Sequence, residues 1–222
     1  MKTEERDSLE APEPKDEEEA RGPLHFLREL PGLVLMAFVL ALLIKTFLFQ
    51  AFYIPSGSME PTLVPNDRVI VNKIPYYLHD ARRGDVIVFE DPHPEPGRGR
   101  GVVGGFVHWL VQGFGFQAPD QEDFIKRVIG LPGETVEARG GDVFVDGERL
   151  KEPWLPDGVT TSDFGPIKVP AGSLFVMGDN RGNSLDSRVS SDQGGLGFVP
   201  VDKVIGKAFV IVWPPSRVGL LH

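Results

Sequence analysis

Two serines bracket a glycine in Ile54-Pro55-Ser56-Gly57-Ser58-Met59-Glu60-Pro61-Thr62-Leu63. Pro55 and Pro61 restrict the backbone on either side, and Gly57 allows a tight turn or a close approach. A serine on so constrained a turn can present its hydroxyl as a nucleophile. On composition alone the same stretch is also an ordinary Ser/Gly/Pro connection. A second chemical group lies in Phe124-Ile125-Lys126-Arg127-Val128-Ile129-Gly130, where Lys126 sits among apolar residues of an expected strand. A lysine in water titrates at about 10.4 and is almost all ammonium at neutral pH. Desolvation lowers that value and yields a neutral amine. Such an amine can take the proton of a serine hydroxyl without any histidine.

The third stretch is Met177-Gly178-Asp179-Asn180-Arg181-Gly182-Asn183-Ser184-Leu185-Asp186-Ser187-Arg188, which leaves a strand end and is too polar to be core. It offers the Ser184 hydroxyl to a neutral lysine. Asp186 and Arg188 can pair and brace the loop, and Asp179 or Asn180 can cap backbone groups. There is no cysteine, which excludes disulfides, thiol catalysis and Cys-based metal sites. His25, His79, His93, His108 and His222 show no ligand spacing, so no metal and no cofactor is expected.

The elements that must position these groups begin with an apolar run. No charge occurs from residue 30 to 44, and apolar residues resume after Lys45. A membrane span needs roughly 20 residues. Residues 30–49 supply that length if Lys45 snorkels to the interface. The run is apolar on all sides, unlike the single stripe of a helix packed on a soluble core. Bulky Phe47, Phe49, Phe52 and Tyr53 stand where a cleavable leader would carry small residues. Arg21 and Arg28 precede the run, and beyond Lys45 no Lys or Arg occurs before Arg68. The tail is therefore expected to be cytoplasmic and the rest outside.

The 222-residue chain carries a net charge of −9, which argues against nucleic acid as a partner. Residues 1–30 hold ten Asp/Glu against five Lys/Arg, so much of the acidity lies in a Glu- and Pro-rich tail expected to be disordered. After residue 60 the pattern is β. Strands are expected at 68–74, 85–89, 173–177 and 207–213, with a hairpin at 135–146 turning on Gly140-Gly141. The exception is 101–117, where Phe106, Trp109, Leu110 and Phe114 fall on one helical face. That face can pack on the sheet or lie in a membrane interface. The expected organisation is a tail at 1–29, a transmembrane anchor at 30–52 and a mainly antiparallel β domain at 53–222, with an insertion at 91–123.

Four stretches together resemble the successive boxes of bacterial type I signal peptidases. They are Pro55-Ser56-Gly57-Ser58-Met59-x-Pro61-Thr62-Leu63, Gly84-Asp85-Val86-Ile87-Val88-Phe89, Lys126 to Gly133, and Gly178-Asp179-Asn180-Arg181-x-Asn183-Ser184-x-Asp186-Ser187-Arg188. They occur in the family's order after an anchor, and the resemblance covers the chain from about residue 30 to its end. It implies a single-pass serine endopeptidase of the cell membrane, with an antiparallel β catalytic domain of the signal-peptidase type. Its partners would be the lipid bilayer and the signal peptides of preproteins, cut after small residues at −1 and −3. By position it makes Ser58 the nucleophile and Lys126 the general base. It gives Ser56 and the Ser58 N–H to the oxyanion hole and has Ser184 hydrogen-bond the lysine. Asp179, Asp186, Arg127 and Arg188 would shape the site, and Ile54 and Ile125 would wall the pocket for the residue before the cut. Gly182 departs from the acidic residue frequent there, and residues 91–123 and 190–196 match no box. The rival readings are a self-cleaving Ser-Lys repressor of the SOS type, disfavoured by the apolar run, and a non-catalytic anchored β module.

Overall fold

The computed structural model describes residues 30–41, 48–74, 81–93 and 123–221. Two compact units divide the chain, one comprising residues 1–41 and the other 42–222. In the first, residues 30–41 form an α-helix (α1) whose apolar side chains, among them Leu35, Met36 and Phe38, are exposed. Among the described residues no helix is long and apolar enough to cross a membrane.

The second unit is a β domain. Its strands are β1 (Phe49–Tyr53), β2 (Arg68–Asn72), β3 (Val86–Glu90), β4 (Asp123–Gly130), β5 (Thr135–Arg139), β6 (Asp142–Val145), β7 (Glu148–Arg149), β8 (Phe164–Lys168), β9 (Ser173–Met177), β10 (Val199–Pro200), β11 (Val204–Trp213) and β12 (Gly219–Leu220). The larger sheet runs β1-β2-β11-β3-β4-β9-β10, with β12 added to β11, and the smaller runs β7-β6-β5-β8. Every pairing is antiparallel. The mainly antiparallel β domain expected from the sequence is therefore present.

Period-two alternation sends the two faces of each strand into different clusters. Phe52, Ile54, Val69, Val71, Val86, Val88 and Ile125 converge on one core with Met59, Leu63, Ala208 and Ile211. Ile87, Phe89, Val128, Leu174 and Val176 face a second, which Leu196 and Val199 complete. Leu196 thus gives the unplaced 190–196 stretch a packing role. A third core joins the sheets, with Ile129, Phe175 and Met177 meeting Val136, Ala138 and Val143.

One boundary is corrected. The anchor was drawn to residue 52, but Phe49–Tyr53 is strand β1, paired with β2 from Phe49↔Asn72 to Tyr53↔Arg68. A short run rich in Phe and Tyr is apolar in either conformation, and hydrophobicity alone does not separate a helix end from a strand. The hairpin forms with Ala138↔Val143 and Arg139↔Asp142 in register. Strand β8 contains Gly165-Pro166, which conceals it in the sequence; it is an edge strand, where proline is tolerated. The amphipathic stretch 101–117 lies outside the described residues.

Candidate active site

Strand β1 ends at the serine turn, and the first core holds that turn in place. Ile54 donates its N–H to the Asp67 carbonyl at 2.9 Å and accepts from Asn66 N–H at 2.9 Å, so the turn leaves and returns beside β2. Met59 and Leu63, both wholly buried, drive its far side into the core. Glu60 N–H to Gly57 O and Leu63 N–H to Met59 O close it internally. Ser56 and Ser58 are left at the rim, their hydroxyl oxygens 3.5 Å apart.

Lys126 arrives from β4, where it pairs with Ile87. Its Nζ stands 2.7 Å from Ser58 Oγ and 2.9 Å from the Ile125 carbonyl. Burial lowers the lysine from its ordinary 10.5 to about 8, against the opposing pull of the Asp186 and Asp179 carboxylates. An appreciable neutral fraction at mildly alkaline pH can then accept the serine proton across a hydrogen bond already in place.

The loop after β9 fastens these two elements together. Arg127 Nε and Nη2 form a bidentate pair with Asp179 at 2.9 and 2.7 Å, both side chains fully buried. Arg127 Nη1 donates to the Gly84 carbonyl at 2.8 Å. Thr62 Oγ1 donates to Asp179 Oδ2 at 2.6 Å, which ties the serine turn to the same carboxylate. Asn180 adds two bonds to that turn, its N–H to Ser58 O at 3.1 Å and Nδ2 to Gly57 O at 3.0 Å. Asp186 accepts from Gly178 N–H at 2.9 Å and is gripped by Arg188 Nε and Nη2 at 2.8 and 2.9 Å. The expected Asp186–Arg188 brace is therefore formed, and Asn180 caps the backbone of the turn.

Ser184 departs from expectation. Its Oγ is buried but makes no hydrogen bond among the described residues, to Lys126 or to any other group. The two bonds of Lys126 go to Ser58 and Ile125, so the amine is held without it. Ser184 packs instead against Gly178, where an added β-carbon would meet its Oγ at 2.2 Å. Ile54 and Ile125, the expected pocket walls, lie in one cluster beneath the turn and are almost wholly buried. Among the described residues no group of three or more His, Cys, Asp or Glu is placed to hold a metal ion.

Several supports were missed in the sequence. The Trp154 ring covers the Arg127 guanidinium at 4.7 Å. Glu152 pairs with Arg181 through both carboxylate oxygens, and Arg181 also donates to Thr161 Oγ1 at 2.8 Å. All three partners belong to the connection between β7 and β8. The available signal was a tryptophan in a polar, Pro- and Asp-rich connection, a residue whose apolar area needs burial. The Thr62–Asp179 bond had no local signal.

The arrangement is one hydroxyl, one desolvated amine and three Arg-carboxylate pairs, of which Arg127–Asp179 is buried on both sides, that fix the backbone around them. The model of the family described as signal peptidase, peptidase S26, matches residues 27–213. Signal peptidase I of Leptolyngbya laminosa is 46% identical over 190 residues, 84% of this chain and 79% of that protein. The probable signal peptidase I-2 of Synechocystis is 41% identical, over 87% and 76% of the two chains. Signal peptidase I of Mycobacterium tuberculosis is 40% identical, over 88% and 76%. On these matches the chain belongs to the signal peptidase family, peptidase S26.

Proposed function

We propose that the chain removes signal peptides from exported preproteins with a Ser58–Lys126 dyad. The observation that carries this reading is the 2.7 Å contact between Ser58 Oγ and an amine that burial holds at about 8. The cleavage region lies in the site as an extended strand, its small −1 and −3 side chains set against Ile54 and Ile125. Ser58 Oγ attacks the carbonyl carbon of the −1 residue while Lys126 takes its proton. The oxyanion forms between the Ser58 N–H and the Ser56 hydroxyl, whose oxygen lies 3.5 Å from Ser58 Oγ. Collapse breaks the C–N bond, and Lys126 returns the proton to the leaving amine. Water then attacks the acyl-enzyme, losing its proton to Lys126, and Ser58 is restored as the signal peptide leaves. Arg127, Asp179, Asp186 and Arg188 hold the backbone that presents these groups. For Ser184 the reading keeps the role of steadying the amine. A buried hydroxyl without a partner is costly unless it is used in some state of the cycle.

The second part of the proposal is a bilayer anchor beginning at residue 30, with the tail on the cytoplasmic side and the β domain outside. It rests on the uncharged run, the exposed apolar side chains of α1, and Arg21 and Arg28 ahead of them. Full-length protein in detergent, given a purified preprotein, tests the dyad. Wild type should release the mature chain, while Ser58→Ala and Lys126→Ala should not, and Lys126→Arg should not restore cleavage because guanidinium keeps its proton. Undiminished cleavage by Ser58→Ala removes the dyad from the account.

A further inference from the structure

The loop that carries Ser58 joins β1 to β2, and its second limb, Thr62 to Asp67, is tied down from two sides. The Thr62 hydroxyl is held by Asp179 at 2.6 Å. The Thr62 carbonyl is held from the far end of the chain, where Arg217 Nη2 donates to it at 3.1 Å. Arg217 Nε also donates to Asp67 Oδ1 and Oδ2 at 2.9 and 3.2 Å. Asp67 is wholly buried, and among the described residues Arg217 is the one cation paired with it. Its Oδ2 further accepts from Val64 N–H at 2.9 Å. A single planar guanidinium thus spans the limb, from Thr62 at its start to Asp67 at its end.

The chain past β11 is built to deliver this group. Trp213, the last residue of β11, pairs with Arg68, the residue after Asp67. Pro214 and Pro215 restrict the backbone as it leaves the strand. Arg217 N–H then closes a single 3-10 turn, Pro215–Arg217, on the Pro214 carbonyl at 2.9 Å. Strand β12 returns along β11 with Val210↔Leu220 and Ile211↔Gly219 in register. Leu221 N–H donates to the Phe209 carbonyl at 2.9 Å, and its side chain packs against the first core. Arg217 is therefore fixed by structure on both sides of it, although it lies outside every motif from which the site was read.

We propose that Arg217 is a positioning residue for the nucleophile, clamping the Thr62–Asp67 limb so that Ser58 Oγ stays within hydrogen-bond reach of Lys126 Nζ. This deepens, and rests on, the Ser58–Lys126 reading above. The path is short. Leu63, next to Thr62, donates its N–H to the Met59 carbonyl at 2.9 Å, and Met59 directly follows Ser58. A limb held only by the Thr62 hydroxyl can pivot about that point, and the second hold on the Thr62 carbonyl removes the freedom. The 2.7 Å bond from Lys126 to Ser58 leaves little slack for such a movement. The planar fork is what the task requires. A lysine at this position supplies the charge that Asp67 needs, but its ammonium is a point charge on a flexible stem and does not fix Asp67 and the Thr62 carbonyl in one plane.

The test compares full-length wild type, Arg217→Lys, Arg217→Met and Ser58→Ala in detergent on a purified preprotein, at a temperature well below every melting point. Arg217→Met leaves the buried Asp67 carboxylate without its cation and should melt lower than Arg217→Lys, which keeps the charge. Activity should not follow that order. Both Arg217 variants lack the fork, so in both kcat and kcat/KM should fall together by about 100-fold, the scale of a small misplacement of a reacting group. The midpoint of the pH profile should stay where wild type has it, since the burial of the amine is untouched. Wild-type kcat in Arg217→Lys overturns the positioning role. So does a loss of kcat that parallels the loss of melting temperature, which would make Arg217 a support of the fold alone. A shifted midpoint also overturns it, because Arg217 would then act on the amine rather than on the serine. Undiminished cleavage by Ser58→Ala overturns the dyad itself, whatever the Arg217 variants do.

Discussion

Gly178 and Ser58 approach so closely that a β-carbon on Gly178 would stand 2.3 Å from the Ser58 carbonyl oxygen and 2.2 Å from Ser184 Oγ. Neither neighbour can yield cheaply. The first is the nucleophile's own backbone, already accepting from Asn180 N–H, and the second is buried. Gly178→Ala should therefore displace the turn by part of an ångström. A misplacement of that order costs about 100-fold in rate, and kcat is expected to fall accordingly with the domain still folded. Preprotein cleavage and circular dichroism measured together check this, and wild-type kcat in that variant would contradict the packing.

The lowered Lys126 amine predicts a pH profile. The active free enzyme carries the neutral amine, so kcat/KM should rise with pH and level off above about 8. Asp186 and Asp179 oppose the shift by favouring the ammonium. Asp186→Asn should therefore move the midpoint to lower pH, even if it reduces the plateau through the lost grip of Arg188. A midpoint that stays put or rises would show that the carboxylate does not act on the amine as described.

The same group leaves a signature in stability. Its folded value of about 8 lies below its ordinary 10.5, so between those limits the unfolded chain binds more protons than the native one. Stability contributed at this site rises with pH from about 8 to 10.5 and is constant below 8, where both states are protonated. The full difference is roughly 3 kcal/mol. Lys126→Met removes the titration. The stability of Lys126→Met minus that of wild type should therefore be most favourable below pH 8 and decline by that amount toward pH 10.5. Urea melts at four or five pH values give the difference, with other titrating groups cancelling. A difference independent of pH would mean that the native lysine is not desolvated.

The chemistry of the site was legible in the sequence because it is local. The Ser58 turn, Lys126 in its apolar strand and the Gly178–Arg188 loop each declare themselves by residue type, and their order matches one family. Asp186 and Arg188 are two residues apart, so their pairing was readable as well. What was not readable is contact at long range. Thr62 meets Asp179 across 117 positions, and Arg217 meets Asp67 across 150. The anchor expected at 30–52 overlaps strand β1 over residues 49–52, because Phe49 and Phe52 are equally apolar in a helix and a strand. The orphaned hydroxyl of Ser184 was also beyond reach, since a motif names a residue and not its rotamer.

The connection between β7 and β8, invisible as a functional element in the sequence, carries the last prediction. Arg181 is almost wholly buried, and its guanidinium is matched by Glu152 through both oxygens and by Thr161. Its Nε holds the Gly178 carbonyl at 3.1 Å, and its own carbonyl accepts from Arg188 Nη1 at 2.8 Å. Among the described residues the Glu152 carboxylate therefore bears on the catalytic loop through Arg181. Glu152→Gln leaves a buried guanidinium without its counter-charge, and losing one partner of such a pair costs about 3–5 kcal/mol. Replacing both, as in Glu152→Gln with Arg181→Met, removes the uncompensated charge, so the double variant should lose less stability than the two single losses added together. Activity should follow a different pattern. Arg181→Met frees the Gly178 carbonyl and should lower kcat at temperatures well below melting, and adding Glu152→Gln should lower it no further. A four-member cycle with melting and single-turnover rates measured on the same samples separates the two effects. Additive rate losses would mean that Glu152 reaches the dyad by a route other than Arg181.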